Sequence, residues 1–266
     1  MQRKIKKQRP RKRQYDNRMK VSVVTVCFNS ADTIERSIVS VCEQDYACIE
    51  HIIIDGGSSD GTLGIIEKYS SALQYISEKD DGVYDAMNKG ISRATGNLIV
   101  FLNSDDWFAH DGALSSMVRP FEQDKQLEIG LFGVSIVRSS DETRPFRRIA
   151  ALGFRPAMLL LGMMPPHPGM IVKKYALQSS GYFKRDYKIC GDYEWCLRAF
   201  LKHKFTCRSF NEEVVTMRDG GLSNRGLRGY LSMSREFAKA LWENSLSIFI
   251  PLVYFRFIFK LKQFWT

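Results

Sequence analysis

From Val21 onward the sequence alternates short β-branched and aliphatic runs with segments of helical period, and this alternation restricts the fold more than any other feature. "VSVVTVCF" (21–28), "HIIIDGG" (51–57), "LQYIS" (73–77) and "LIVFL" (98–102) read as strands, the second and fourth of them in the core. Between them, "SADTIERSIVSVCEQ" (30–44) places Ile34, Ile38, Val41 and Cys42 on one helical face, with Ser30 a candidate N-cap. "TLGIIEKYS" (62–70) is a short helix, and "GVYDAMNKGISRA" (82–94) turns Tyr84, Met87 and Ile91 inward. Strands alternating with helices imply an α/β fold with a parallel sheet and right-handed crossovers. Such sheets bind ligands at the carboxyl ends of their strands. Three polar clusters fall there: Asn29, Asp55 to Asp60, and Asp105–Asp106.

The second half is less regular. "IGLFGVSIVR" (129–138) reads as a strand, and "PAMLLLGMMPPHPGMIV" (156–172) as a short apolar helix followed by a Pro-rich loop carrying His167. "GDYEWCLRAFLKH" (191–203) is an amphipathic helix with Trp195, Leu197, Ala199 and Phe200 inward. No internal repeat or long linker is visible.

At 266 residues the chain is long enough for one large α/β domain or two small ones, and an apolar fraction of 44% is that of a globular protein. The six cysteines form no CxxC pair and none sits near a histidine at metal-ligand spacing, so they read as reduced thiols of a cytosolic protein. The net charge of +10 suggests nucleic acid, but its location argues otherwise. Residues 1–18 carry nine Lys/Arg against Asp16, a net +8, which leaves +2 for residues 19–266. The basic head reads as a solvated tail; it has no apolar stretch that would make it a secretory signal. Charge alone would let it touch anionic lipid or nucleic acid, and Met19, where a strand begins at once, is an alternative start.

The C-terminus, "LWENSLSIFIPLVYFRFIFKLKQFW" (241–265), is rich in aromatics, with Arg256, Lys260 and Lys262 among them. Its uncharged run from Asn244 to Phe255 is shorter than the ~20 residues needed to span a bilayer. It fits an interfacial membrane helix or a helix packed on the domain or on a partner subunit.

Adjacent carboxylates after a buried strand repel each other, and no Lys or Arg lies near Asp105–Asp106 in sequence. Mg²⁺ or Mn²⁺, which prefer oxygen ligands and bind carboxylates together with phosphate oxygens, would relieve that repulsion. The loop "DGGSSDGT" (55–62) lets a ligand approach the backbone closely, and Asp55 can accept the imino or amino hydrogens of a base. It is neither a G-x-G-x-x-G fingerprint nor a P-loop, which excludes a redox dinucleotide or a triphosphate bound in P-loop fashion. A plain Gly-rich turn is the structural alternative.

Taken in order, "TVCFN", "IIIDGGSSDGT", "EKDDGVYDAMNKGI", "ATGNLIVFLNSDD", "PPHPGMIVKK", "GYF", "YKICGDYEWCLR" and "MRDGGLSN" resemble a family 2 glycosyltransferase of the bacterial cell-surface polysaccharide and lipopolysaccharide type. The resemblance covers residues 19–225 and implies the GT-A nucleotide-diphospho-sugar transferase fold, a mostly parallel central sheet flanked by helices. Residues 226–266 then form a C-terminal helical extension, and residues 1–18 a basic tail. It also implies inverting transfer of a sugar from a nucleotide-sugar to an acceptor hydroxyl with Mg²⁺ or Mn²⁺. The acceptor is a glycan or a lipid-linked acceptor at the cytoplasmic face of the inner membrane, and the protein is cytoplasmic or peripheral to that face. No specific nucleic acid is implied, and an oligomer is left open.

Residue by residue, the resemblance places Phe28 and Asn29 in the nucleotide pocket and Asp55 against the base or ribose. Gly56 stands where many relatives carry a second acid. Asp80, Asp85, Asn88 and Lys89 lie beside the donor. Asp106 is the main metal ligand, with Asp105 as donor-sugar contact or second ligand, and Asn103 stands where many relatives have a further Asp. Asp192 is the catalytic base, with Glu194 the fallback and a helix N-cap the competing role. His167 binds acceptor or diphosphate, or is a structural loop histidine; Arg218 meets diphosphate, or is a surface arginine. "RDGGLSN" (218–224) resembles a flexible segment over the active site. Inverting transfer needs one base opposite the leaving group and no covalent nucleophile. A sugar-phosphate nucleotidyltransferase is the competing enzyme class, but "TVCFNSADT" lacks the basic residues a triphosphate loop needs. A nucleic-acid-binding protein would need basic and aromatic residues interleaved on the body, which is near neutral.

Overall fold

The computed structural model describes residues 18–220 and 226–254, without the side chains of 226–228 and 230. The basic head through residue 17, residues 221–225 and residues 255–266 lie outside the described residues. The first half is built from strands β1 (Val21–Cys27), β2 (Ile49–Asp55), β3 (Gln74–Ser77) and β4 (Leu98–Phe101). Helices α1 (Ile34–Cys42), α2 (Thr62–Lys68) and α3 (Val83–Arg93) connect them. β1 pairs in parallel with β2 on one side and β4 on the other, and β3 continues parallel to β2. Both faces of β1 are covered: Val24 and Val26 enter one core with Met87 and Ile91 of α3, while Val21 and Val23 enter another. Double-sided burial explains why β1 and β4 are continuous apolar runs rather than alternating ones, whereas the edge strand β3 is largely exposed. Each large side chain so buried is worth about 1.5–3 kcal/mol relative to exposure.

The chain then runs through β5 (Trp107–Phe108), α4 (Ala113–Gln123), β6 (Ile129–Arg138), β7 (Asp141–Ile149), β8 (Met170–Lys173), α5 (Lys174–Ser180), α6 (Gly191–Cys196), β9 (Cys207–Arg218) and α7 (Gly226–Glu243). The described residues form one nine-stranded sheet in the order β3-β2-β1-β4-β8-β6-β9-β5, with β7 paired to β6. β8 runs antiparallel between β4 and β6, whereas β6 and β9 are parallel. The order reverses between β1 and β4, so the carboxyl ends of β1, β2 and β4 open together on one side, as a switch point requires.

Several local readings change. Ser30 does not cap α1: the helix starts at Ile34 after a turn in which the Ser30 carbonyl accepts from Thr33 and Ile34, while the Ser30 hydroxyl contacts Ser104. Cys42 is exposed, and all six cysteines are free. The segment 191–203 divides into α6 and a π-helical turn, Leu197–Lys202, that keeps Trp195, Leu197, Ala199 and Phe200 buried. The apolar "PAMLLL" is a 3₁₀ helix with only Leu159 buried. α7 is packed on the body. Phe237, Ala240 and Leu241 share the core of α3 and α6, and Phe237 meets Tyr193 edge-on at 4.1 Å. Glu236 of α7 accepts the N–H groups of Lys188, Ile189 and Cys190 at 2.8–3.0 Å, fixing the loop that leads into α6.

Candidate active site

β4 ends at Phe101, and Asp105 and Asp106 follow within one turn. Strand pairing then sets their surroundings. Trp107 lies across from Thr216 of β9, which brings the Arg218 N–H to 3.4 Å from Asp106 Oδ1. The Asn103 side chain donates to Asp106 Oδ2 at 2.9 Å. Asp106 is buried and Asp105 half-buried. Burial raises both carboxyl pKa values, and the Asp105 charge pushes Asp106 further, well above the usual range. Arg218 is the basic side chain whose charge reaches Asp105, and its Nε lies 2.9 Å from Glu142 of β7 rather than on the acids. Glu142 also pairs with Arg36 of α1, whose guanidinium stacks 3.3 Å over the Trp107 ring. Two adjacent carboxylates, one buried and one half-buried, with no cationic side chain hydrogen-bonded to them among the described residues, are a donor set a divalent cation satisfies, so the residues fit Mg²⁺ or Mn²⁺. No group of three or more His, Cys, Asp or Glu side chains able to hold a metal occurs among the described residues, which leaves further ligand positions to phosphate and water.

Asp192 stands in the first turn of α6, against Tyr84 of α3. The N-cap position of α6 is Cys190, so Asp192 sits inside the first turn and is not the cap. Its Oδ1 accepts the Tyr193 N–H at 2.9 Å and stands 3.2 Å from the Tyr84 hydroxyl, which also reaches the Ile189 carbonyl at 2.7 Å. Oδ2 has no hydrogen-bond partner among the described residues. Gly191 permits this approach: a Cβ there would sit 2.8 Å from the Tyr84 ring. Burial raises the Asp192 pKa, and His167, the Tyr193 N–H and Tyr84 oppose the rise. His167 stacks on Phe101 with ring centroids 5.3 Å apart, edge-on to Phe183. Burial lowers its pKa against the pull of Asp192. Stacking on Phe101 and the field of Asp192 place His167 between the end of β4 and the candidate base. Glu194 is fully buried and holds Arg198 through both carboxylate oxygens, together with Lys184 at 3.1 Å and Asn244 at 3.3 Å. Those partners consume the fallback carboxylate in packing.

The remaining expected donor contacts divide. Phe28 projects from the end of β1, 62% exposed. Asn29 adopts φ 48° and braces the second loop, accepting the Ser59 N–H at 2.9 Å while its own N–H meets Ser58 Oγ at 2.8 Å. Asp80 is half-buried beside them. Asp55 is fully buried and accepts from the Ser58 N–H, the Ser58 and Ser77 hydroxyls and the Cys27 thiol, so it organises the loop rather than facing a base. Asp85 is held by Arg185 at 3.2 Å and Lys89 at 3.5 Å. Burial opposes its charge, but the Asp81 N–H and these two cations keep its pKa below the ordinary value. Asn88 spends both ends of its amide on the Phe183 backbone, at 2.8 and 3.0 Å. Lys89 is taken by Glu78 at 2.9 Å and the Lys79 carbonyl at 3.0 Å. Asp85, Asn88 and Lys89 thus hold α3 in place. Tyr84, Arg36 and Glu142 enter the site without a sequence signal: Tyr84 read as core, and the other two belong to no motif.

Comparison with known proteins bears on the family and the fold. The profile of "Glycosyl transferase family 2" matches residues 22–185. An uncharacterised glycosyltransferase of Mycobacterium tuberculosis is 34% identical over 185 residues, covering 68% of this chain and 69% of that protein. A PGL/p-HBAD biosynthesis glycosyltransferase of Mycobacterium bovis is 26% identical over 225 residues, 83% of each chain. Among solved structures, S. aureus TarS 1–349 in complex with UDP-GlcNAc superposes with TM-score 0.63 at 20% identity, over 84% of this chain and 66% of that one. Mannosyltransferase PcManGT from Pyrobaculum calidifontis, in complex with GDP-Man and Mn²⁺, gives 0.65 at 16% identity, over 90% and 70%. The GT-A fold expected from the sequence is the fold observed, and the chain belongs to glycosyl transferase family 2.

Proposed function

We propose that this chain is a metal-dependent, inverting glycosyltransferase that moves a sugar from a nucleoside-diphosphate sugar to a hydroxyl of a glycan or lipid-linked acceptor in cell-surface polysaccharide synthesis. The observation that carries the reading is the pair Asp105–Asp106: adjacent just after β4, both raised in pKa by burial, and with no cationic side chain hydrogen-bonded to either among the described residues. Asp106, with Asp105, would hold the cation, which when bound would supply the charge that stabilises the departing nucleoside diphosphate. Phe28 and the Asn29–Ser58 loop bind the nucleoside end. Asp192, fixed by Tyr84 and the Tyr193 N–H, takes the proton of the acceptor hydroxyl through Oδ2 as the new bond forms. The transition state resembles an oxocarbenium ion, and a single displacement inverts the anomeric carbon. His167 flanks Asp192 on the acceptor side, where its positive end favours the carboxylate form. Arg36 and Arg218 stand close enough to the acids to meet diphosphate once Glu142 releases them.

No helix among the described residues is long and apolar enough to cross a membrane. A peripheral contact with the cytoplasmic membrane face is supported by Trp242, Ile248 and Tyr254, exposed at 69%, 81% and 47% just before the basic, aromatic residues 255–266. The catalytic reading is tested by incubating the purified chain with a panel of nucleotide-sugars and Mn²⁺ and measuring nucleotide release. Slow hydrolysis of one donor, abolished in Asp106→Ala, is expected. Release unaffected by that substitution contradicts the assignment.

A further inference from the structure

We propose that Asp80, not Asp55, reads the base of the donor, in a space that Gly56 leaves open. The inference rests on the donor reading above and narrows it to a class of base. Asp55 is fully buried, with its carboxylate occupied by Ser58, Ser77 and Cys27. The next residue is Gly56, whose N–H donates to the Cys27 carbonyl at 2.9 Å. Its φ is not in the left-handed region, so the backbone there does not require glycine. Space does: a Cβ on Gly56 would lie 2.6 Å from Asp80 Oδ2 and 3.4 Å from Phe28 Cδ2. A carboxylate arriving from the loop after β3 fills the volume a side chain at position 56 would take.

Asp80 is held for this task. Its Oδ1 accepts the Gly82 N–H at 2.9 Å, which sets the plane of the group. Its Oδ2 has no hydrogen-bond partner among the described residues and points at Gly56. The exposed Phe28 ring borders the same recess and offers a flat apolar face. A base stacked on that ring presents its pairing edge to Oδ2, and aromatic stacking tolerates any base. The carboxylate is less tolerant. An ionised carboxylate only accepts hydrogen bonds. It matches the imino N–H of uracil or guanine, whereas cytosine and adenine set a bare, repelling ring nitrogen beside their amino donor and bind it more weakly. The site therefore selects imino bases, and Gly56 is a specificity residue because it makes room for the selecting acid.

The test is calorimetric titration of the full chain with UDP, GDP, CDP and ADP in Mn²⁺, with Mn²⁺-pyrophosphate as the probe of the metal end alone. Wild type should bind UDP or GDP at least about tenfold more tightly than CDP and ADP, the two imino arms showing which base is used. Asp80→Ala should lose roughly 10–100-fold for the favoured nucleotide and keep pyrophosphate binding. Gly56→Ala should show a similar loss by displacing Asp80, and the double variant Gly56→Ala/Asp80→Ala should be no weaker than Asp80→Ala. Circular dichroism confirms folding of each. Unchanged base preference in Asp80→Ala, additive losses in the double variant, or a wild type indifferent to the base overturns the proposal while leaving the transferase reading in place. Absence of any diphosphate binding by wild type overturns both.

Discussion

Asp192→Asn separates chemistry from architecture at the candidate base. In the structure, Oδ1 carries both hydrogen bonds, from the Tyr193 N–H at 2.9 Å and the Tyr84 hydroxyl at 3.2 Å. An asparagine keeps that oxygen and both bonds, and it replaces only the free Oδ2. The cost to the fold is therefore near zero. Its sign can be worked out: burial raises the folded-state pKa of Asp192, so ionisation opposes folding as pH climbs through that raised value. Removing the charge should leave stability at neutral pH equal or higher. Turnover should behave oppositely, because an amide cannot take the acceptor proton. Loss of a general base costs roughly 10²–10⁴-fold, about 3–5 kcal/mol in the barrier. The same raised pKa places the acid limb of the wild-type rate above the ordinary carboxylate range, with about a tenfold fall per pH unit below it, and the variant should lack that limb. The assay is initial-rate transfer across pH, beside melting temperature and donor affinity. A folded variant with normal donor affinity and turnover within a few-fold of wild type would refute the role of Asp192, and with it the reading of Tyr84 as its positioner.

Two further perturbations reach other parts of the molecule. Buried His51, with only the Thr25 hydroxyl near its Nε2 at 3.0 Å, is held neutral by burial with its pKa lowered to about 3. Its contribution is complete above the unfolded value of about 6.5 and is lost as pH falls towards 3, so lowering the pH from 7 to 5 should remove about 2 kcal/mol, roughly 4–8 °C in melting temperature. His51→Gln should flatten that slope, and a slope identical to wild type in a pH-dependent melting series counts against it. At the C-terminus, removing residues 255–266 together with Trp242→Ser and Ile248→Ser should reduce co-sedimentation with anionic vesicles without lowering the melting temperature, because Leu241 and Val253, which are buried, remain. Undiminished sedimentation removes the membrane proposal.

The catalytic end of the sheet was legible because its logic is local. Apolar runs bounded by Asn29, Asp55 and Asp105–Asp106 mark strand ends whatever lies across from them. The partners of those residues were not legible, because they come from far along the chain. Asn88 looks like a ligand contact until its amide meets Phe183, and Asp55 looks open until Ser77 closes over it. The strand β7 escaped notice because nearly all of "DETRPFRRI" is exposed, leaving no alternation to read. α4 carries Pro120 inside an apolar helical pattern, which reads as a break. β9 mixes charged and apolar residues because β6 and β5 cover it unevenly, yet it delivers Arg218 to the acids. The C-terminal segment divides between its faces: Leu241 and Val253 pack inward, as a helix on the domain requires, while Trp242 and Ile248 face out, and the membrane reading stays a proposal.

The central claim is that Asp106 couples a divalent cation to the donor diphosphate. Calorimetric titration of the nucleoside diphosphate that wild type prefers, in Mn²⁺ and again in chelator, tests it directly against Asp106→Ala. Wild-type affinity should fall at least about tenfold on chelation, and the variant should bind weakly and equally in both conditions. Equal wild-type affinity with and without the cation, or a variant that still responds to Mn²⁺ as wild type does, would contradict the account.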